Sequence, residues 1–427
     1  MDTKTNDEKE SIKIIVNNTK LKFMLFFYLI LFFFFLGLGA NLSSISPYLI
    51  SNFNEDSEWL FIINQVSVPV GTLFAGWISD KTKLIRPFLI IGLLLNFPAQ
   101  YLFYSFPENS LYTGICIAIL RLLLSANYQW IVIGAIESLG ENSFSKIRSY
   151  GTIGFLFAQL ILFLASTETL SLLKSSSESG KFGSLFYLIP LLFIGHVPRV
   201  RNSTRIFLFK DALKLLKQKH MLVFFFLSFL FYSAYQSTDN YQGRYFQLLF
   251  GLQSVYMMWF IGVIFEVPFL LGVPQIVHKL GIFSLVYLSI FSGILKFFYL
   301  SISPFRFDMF EAYFFQMFHS ILFAGYYMAG IYWFRKTSEP HLYGSIYGLY
   351  SIFAISLGGV TGNLICGNLL HSDLGNKVFS EFSGKISPVI LSFIPIYIYS
   401  GMIYLILLPL FYMFFKLLPG KIKKSFH

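Results

Sequence analysis

Charge is scarce in this sequence: Asp, Glu, Lys and Arg make up only 12% of 427 residues, against 56% hydrophobic and 20% aromatic residues, with a mean hydropathy of +0.65. A soluble domain carries about a quarter charged residues, so the shortage excludes an ordinary soluble enzyme, a disordered chain and a nucleic-acid binder. Cysteine is nearly absent, and Cys116 and Cys366 both lie inside apolar runs, so no disulfide framework is expected. No P-loop, His-Glu-x-x-His or Cys-x-x-Cys motif occurs, which argues against ATP-driven transport, metalloenzyme chemistry and any cofactor or metal. Long hydrophobic runs are plentiful instead. An all-α, polytopic membrane protein follows, because each crossing needs about 20 apolar residues.

Twelve runs are long enough to cross, at 23–45, 59–79, 87–104, 111–136, 150–166, 183–197, 221–238, 251–273, 281–301, 309–333, 344–369 and 387–416. The first is too long for the core of a signal peptide and is read as a retained helix. With the N-terminus in the cytoplasm, one side of the membrane collects 24 of the 32 Lys and Arg residues and the opposite loops hold six. That bias places both termini in the cytoplasm. The chain divides into a tail (1–22), a six-helix bundle (23–197), a basic linker (198–220), a second six-helix bundle (221–416) and a short tail (417–427). Within the linker, 207–217 alternates apolar and basic residues, as an amphipathic helix on the inner leaflet would, or as a topology-setting linker would. A shift of 198 residues takes Phe23 to Met221, Asp80 to His278 and Arg121 to His319, the mark of two parallel repeats with a site between them near midplane.

Charges within the spans are the candidate functional residues, since each costs about 2.5–3.5 kcal/mol at the bilayer centre. Glu266 is the lone acid of its run, and Lys296 on the next helix is its expected partner; a static pair pinning the two helices is the bland alternative. A carboxyl group whose proton affinity depends on a nearby charge suits proton coupling. His319, with Gln316 before it and Tyr326 further along the same face, can relay a proton or bond a solute, or be a neutral histidine bonded across helices. Trp259 is expected to line the same site. Arg121 keeps its charge, and its only helix-mate acid, Glu137, lies about 24 Å away. Its partner must come from another helix or from the solute, and a carboxylate solute matches a guanidinium well. The 53 Phe and 26 Tyr are read mostly as lipid-facing, as in the run Phe32 to Phe35. Gly344-x-x-x-Gly348 and Gly358-x-x-x-Gly362 allow close helix approach.

These features resemble the major facilitator superfamily. Gly76-Trp77-Ile78-Ser79-Asp80-Lys81-Thr82-Lys83 followed by Arg86 is similar to that family's signature loop between helices two and three, with Lys83 where the family has Gly. The resemblance implies a conformational latch formed by Gly76, Asp80, Lys81 and Arg86. Lys146 to Phe155, Trp259 to Pro268, and Gln316 to His319 leading to Tyr343 to Ser351 resemble the branch of lactose permease-like, nucleoside:proton and phenylpropionate-type symporters. In that branch Glu137 matches an acid near the end of helix four, and Lys296 stands where Arg is more usual. The expectation is a monomeric secondary transporter in a bacterial inner membrane, carrying a small organic solute by alternating access with proton symport. Glu266, Lys296 and His319 are its expected coupling residues, and Arg121, His319, Gln316, Tyr326 and Trp259 contact solute. An aromatic or other organic acid is the leading solute; a neutral sugar or nucleoside symporter and an uncoupled facilitator are the alternatives.

Overall fold

The computed structural model describes residues 2–53, 56–106, 109–139, 141–167, 172–200, 218–338, 343–372, 374–379, 381 and 386–419; the side chains of 2–23, Asp80, 141–147, 343–345 and Tyr347 lie outside that description. Twelve helical segments follow one another: α1 (Asp2–Phe53), α2 (Ser57–Thr82), α3 (Arg86–Phe103), α4 (Ser110–Leu139), α5 (Glu141–Ala165) and α6 (Ser176–Ser184, then 3-10 turns as far as His196). The second set is α7 (Lys219–Gln236, a π-helical Ser237–Tyr241, and Gln242–Phe250), α8 (Leu252–Ile264 and Glu266–Leu280) and α9 (Ile282–Arg306). It continues with α10 (Met309–Gln316 and Phe318–Thr337), α11 (Tyr343–Tyr350, a π-helical Ser351–Ser356, and Leu357–His371) and α12 (Pro388–Leu417). Among the described residues, ten stretches are long and apolar enough to cross a membrane. Side chains such as Ile91, Leu111, Phe226 and Leu271 point outward, as a lipid-facing surface requires.

The packing scheme repeats. In the first half α1 packs on α5 and α6, α2 and α3 pack on α4, and α3 touches α6; in the second, α7 packs on α11 and α12, α8 and α9 on α10, and α9 on α12. The same scheme twice, 1-5-6 and 7-11-12, is what two repeats related by an axis along the membrane normal produce. Lipid tails give helices no hydrophobic reason to associate, so close packing and interhelical hydrogen bonds carry the assembly. Gly358 and Gly362 lie directly against the α7 backbone at Phe229 and Ser233, where any side chain would force the helices apart. Trp130 donates to Ser79 Oγ at 2.9 Å, and Tyr245 donates to the Leu300 carbonyl at 2.8 Å.

Several boundaries differ from the hydropathy reading. The first helix starts at Asp2, within the expected 1–22 tail, and α7 and α8 run on to Phe250 and Leu280. The amphipathic stretch 207–217 lies outside the described residues. Phe34 and Phe35 are buried, not lipid-facing, because the run turns inward against α5 and α6.

The two halves meet through α1 with α7, α2 with α11, and α5 with α8, and the contacts are concentrated at the end opposite to the termini. There Ser179 Oγ and Tyr256 OH are 2.5 Å apart, Gln253 donates to the Ser166 carbonyl at 2.9 Å, and the Arg244 N–H donates to Ser46 Oγ at 3.3 Å. His371 and Glu58 form an ion pair at 3.8 Å. Toward the terminal face, Lys219–Gln236, Glu266–Leu280 and Tyr343–Tyr350 pack chiefly within their own half. The halves are therefore closed at the opposite face and parted at the terminal face.

Candidate functional site

Breaks in the second-half helices position the site. The π-turn Ser237–Tyr241 widens α7, Phe265 interrupts α8, and Met317 interrupts α10, all in mid-span. Asp239 lies inside the first break, Glu266 begins the helix after the second, and His319 sits in the first turn after the third. Such interruptions recur at functional sites because they free backbone groups and re-aim side chains.

Two charge clusters cross from one half to the other. In the first, Asp239 of α7 lies within electrostatic reach of Lys296 of α9 and Arg121 of α4, without an ion pair to either. The Lys296 ammonium donates to Thr238 Oγ1 at 3.1 Å and lies 3.2 Å from His319 Nδ1. An ammonium only donates, so Nδ1 accepts, and His319 Nε2, 3.4 Å from Tyr235 OH, carries the ring proton. Lys296 is 0% exposed and His319 3%, whereas Asp239 and Arg121 are partly exposed. Arg121 also has Tyr187 and Tyr104 as neighbours, and its Nε has no hydrogen-bond partner. Nearby, Gln242 donates to Gln316 Oε1 at 2.6 Å, which leaves Gln242 Oε1 and Gln316 Nε2 buried without partners.

In the second cluster Glu266 faces Arg148 of α5. The guanidinium lies 4.5 Å over the Phe35 ring and 6.0 Å from that of Tyr128, and donates to Thr152 Oγ1 at 3.3 Å. Trp259 stands edge-on to Phe155 at 6.0 Å and to His319 at 5.5 Å, between the two clusters. Arg121 and Tyr128 are two turns apart on α4, so the clusters are separated by about 10 Å along the membrane normal. The Glu266 cluster is the one nearer the open, terminal face.

The structure corrects the expected pairing. Lys296 is not the partner of Glu266: it is turned to Thr238 and His319, while the cation whose charge acts on Glu266 is Arg148, across the interface. The acid whose charge acts on Arg121 is Asp239 on α7, although the two do not form an ion pair. Tyr326 is turned away from both clusters, bonded to Ser228 Oγ at 2.7 Å and stacked on Phe231 at 3.6 Å inside the second half. Of the expected latch, Arg86 donates to the Val197 carbonyl at 2.6 Å and Ile85 to that of Arg199 at 3.0 Å, both within the first half. Lys81 lies 5.2 Å over Trp77, nothing approaches Gly76, and the Asp80 side chain lies outside the described residues. Lys83 adopts φ 60°, the left-handed conformation that Gly takes at least cost.

The profile of the MFS_1-like family matches residues 24–380. The chain belongs to that family. The nucleoside permease NupG of Escherichia coli (strain K12) is 24% identical over 249 residues, which cover 55% of this chain. Only 59% of that permease's length is spanned. The putative nucleoside transporter YegT of the same strain is 22% identical over 375 residues, 82% of this chain and 84% of its own. The crystal structure of the nucleoside transporter NupG superposes with a TM-score of 0.74 at 18% identity, covering 91% of this chain and 99% of that one. At that identity the likeness is one of fold, the twelve-helix major facilitator architecture.

Proposed function

We propose that the protein is a secondary transporter that carries a neutral, nucleoside-like solute by alternating access, coupled to proton entry. The observation that supports the choice of solute is that an acid of the other half, Asp239, acts electrostatically on Arg121. The argument for an organic acid rested on a cation in need of a counter-charge, and Asp239 supplies one without a solute. The relatives named for nucleosides point the same way. Glu266 can accept from ribose hydroxyls, Arg148 and Thr152 can donate to base carbonyls, and Trp259 and Phe155 offer aromatic surface for a base. A carboxylate solute is the second reading, because Arg121, Arg148 and Lys296 outnumber Asp239 and Glu266 in the crevice.

With both termini in the cytoplasm, as the basic bias favours, the crevice opens inward. Closing it and opening the Glu58–His371 side would present the site outward. The test is uptake of radiolabelled uridine into proteoliposomes with and without an inward proton gradient, with benzoate as competitor. The expected result is uridine accumulation that collapses when the gradient is dissipated and is unaffected by benzoate. Accumulation of benzoate with no uridine uptake would overturn the neutral-solute reading.

A further inference from the structure

The proposed function gives Arg148 the task of meeting the carbonyl groups of a base, and a long, flexible side chain does this well only when its guanidinium is held still. We propose that Phe35 of α1 is the positioning residue that does so: its ring, seated against Gly151 of α5, is a platform that fixes Arg148 as a donor to the solute. The proposal rests on that reading of Arg148 and adds the residue behind it.

On α5, Gly151, Thr152 and Phe155 lie three, four and seven residues beyond Arg148 and so share its face of the helix. Phe155 carries that face to the second half, where its ring stands 6.0 Å from that of Trp259. At the other end, the guanidinium carbon lies 4.5 Å from the centre of the Phe35 ring. That is inside the roughly 6 Å within which a ring face attracts a cation. A Cβ at Gly151 would come within 2.9 Å of the same ring, so Phe35 rests on bare α5 backbone and no larger residue fits beneath it unless the ring moves. One guanidinium N–H goes to Thr152 Oγ1 at 3.3 Å, one turn further along the helix. Tyr128 of α4 stands edge-on to Phe35 at 5.7 Å and braces it. Phe35 is 7% exposed, whereas Arg148 is only partly buried, so the platform is inside the first half and the cation is at its edge.

An aliphatic side chain would fill most of the same space, but it has no electron-rich face to hold a cation. An arginine loses much rotamer freedom when it is fixed, and a group that is fixed before the solute arrives does not add that cost to binding. Phe35, Tyr128, Gly151 and Thr152 all belong to the first half, so the platform travels with Arg148 when the halves rock. Trp259 and Glu266 belong to the second half and approach or recede from it. A solute therefore meets the same rigid fork of donors whichever face is open.

Two readouts test this. Replacing Phe35 by phenylalanines that carry one, two and three fluorine atoms withdraws charge from the ring face while keeping the shape of the side chain. In proteoliposomes the uridine concentration for half-maximal uptake should rise stepwise through the series, by about tenfold at three fluorines, with the maximal rate within about twofold of wild type. A flat series would overturn the proposal, and so would a maximal rate that falls while the half-maximal concentration stays put. Phe35→Leu should match the trifluorinated protein, and Phe35→Tyr, which keeps the ring face, should restore tight binding; should Phe35→Leu fail to fold, the fluorinated series decides. The second readout needs no solute, so it separates failure of this proposal from failure of the nucleoside reading. In purified protein, the reaction of Arg148 with phenylglyoxal, followed in its own peptide by mass spectrometry, should be about threefold faster in the trifluorinated protein than in wild type. Equal rates would overturn the proposal even if uridine is carried. Faster labelling without uridine uptake would uphold the platform and remove the nucleoside.

Discussion

The two charge clusters that bridge the halves are built differently. Glu266 and Arg148 act on each other across the interface, one residue from each half, beside Phe35, Tyr128 and Trp259 and toward the open face. Asp239 has one cation in its own half and one across the interface, deeper in the molecule, with the pinned Lys296 wholly buried. A pair that only the opposite half completes can be opened by a solute that replaces one partner. A carboxylate with a basic neighbour in its own half keeps that neighbour when the halves separate. Under the proposed function, the difference gives solute contact to the first cluster and proton handling to the second.

The strongest way to break that contrast is Lys296→Ala. It leaves Thr238 and the buried His319 without their common donor and takes a cation from the neighbourhood of Asp239, and removing one buried charge from among its partners costs about 3–5 kcal/mol. Thermal unfolding in detergent should show a large loss, much of it recovered when Asp239→Asn is added. Stability unchanged by Lys296→Ala would mean that the pair has no structural weight. Next comes Glu266→Gln, which should weaken uridine binding about 10–100-fold, the worth of a charged hydrogen bond of about 1.5–3 kcal/mol. The pH at which protons accompany uridine should stay as in wild type, because Asp239 is untouched; a moved pH profile would merge the two roles that the comparison separates.

Smaller effects sharpen it. Glu58→Gln removes a partly exposed ion pair that holds the opposite face shut, worth about 1 kcal/mol or less. Labelling of a cysteine placed at Ser46 should rise up to about fivefold, and unchanged labelling would show that the pair does not contribute to closure. Lys83→Gly should stabilise the protein by about 1 kcal/mol by relieving a left-handed backbone, with no effect on either cluster.

Span number, the two-fold repeat and the ionisable residues Arg121, Glu266, Lys296 and His319 within the spans were legible in the sequence, because hydropathy and a lone charge in an apolar run are local signals. Asp239 and Arg148 were missed for one shared reason. The hydropathy reading ended the seventh run at 238 and began the fifth at 150, just short of each. Polar residues that build a site lower the hydropathy by which spans are drawn, so Asp239 to Gln247 reads as a loop although α7 continues through it to Phe250. The Glu266–Lys296 pairing failed because adjacency in sequence says nothing about which way each side chain turns across an interface. Only the break at Phe265 and the approach of α5 to α8 aim Glu266 at Arg148.

The account stands on rocking of the halves about the two clusters, and paired spin-label distances test it most directly. One pair, at Leu172 and Phe310, would report on the opposite face, and another, at Trp77 and Leu280, on the terminal face; all four side chains are exposed. On adding uridine at acid pH, the account predicts a population in which the first distance lengthens as the second shortens. Distances that stay fixed, or that change together in the same sense, would contradict it.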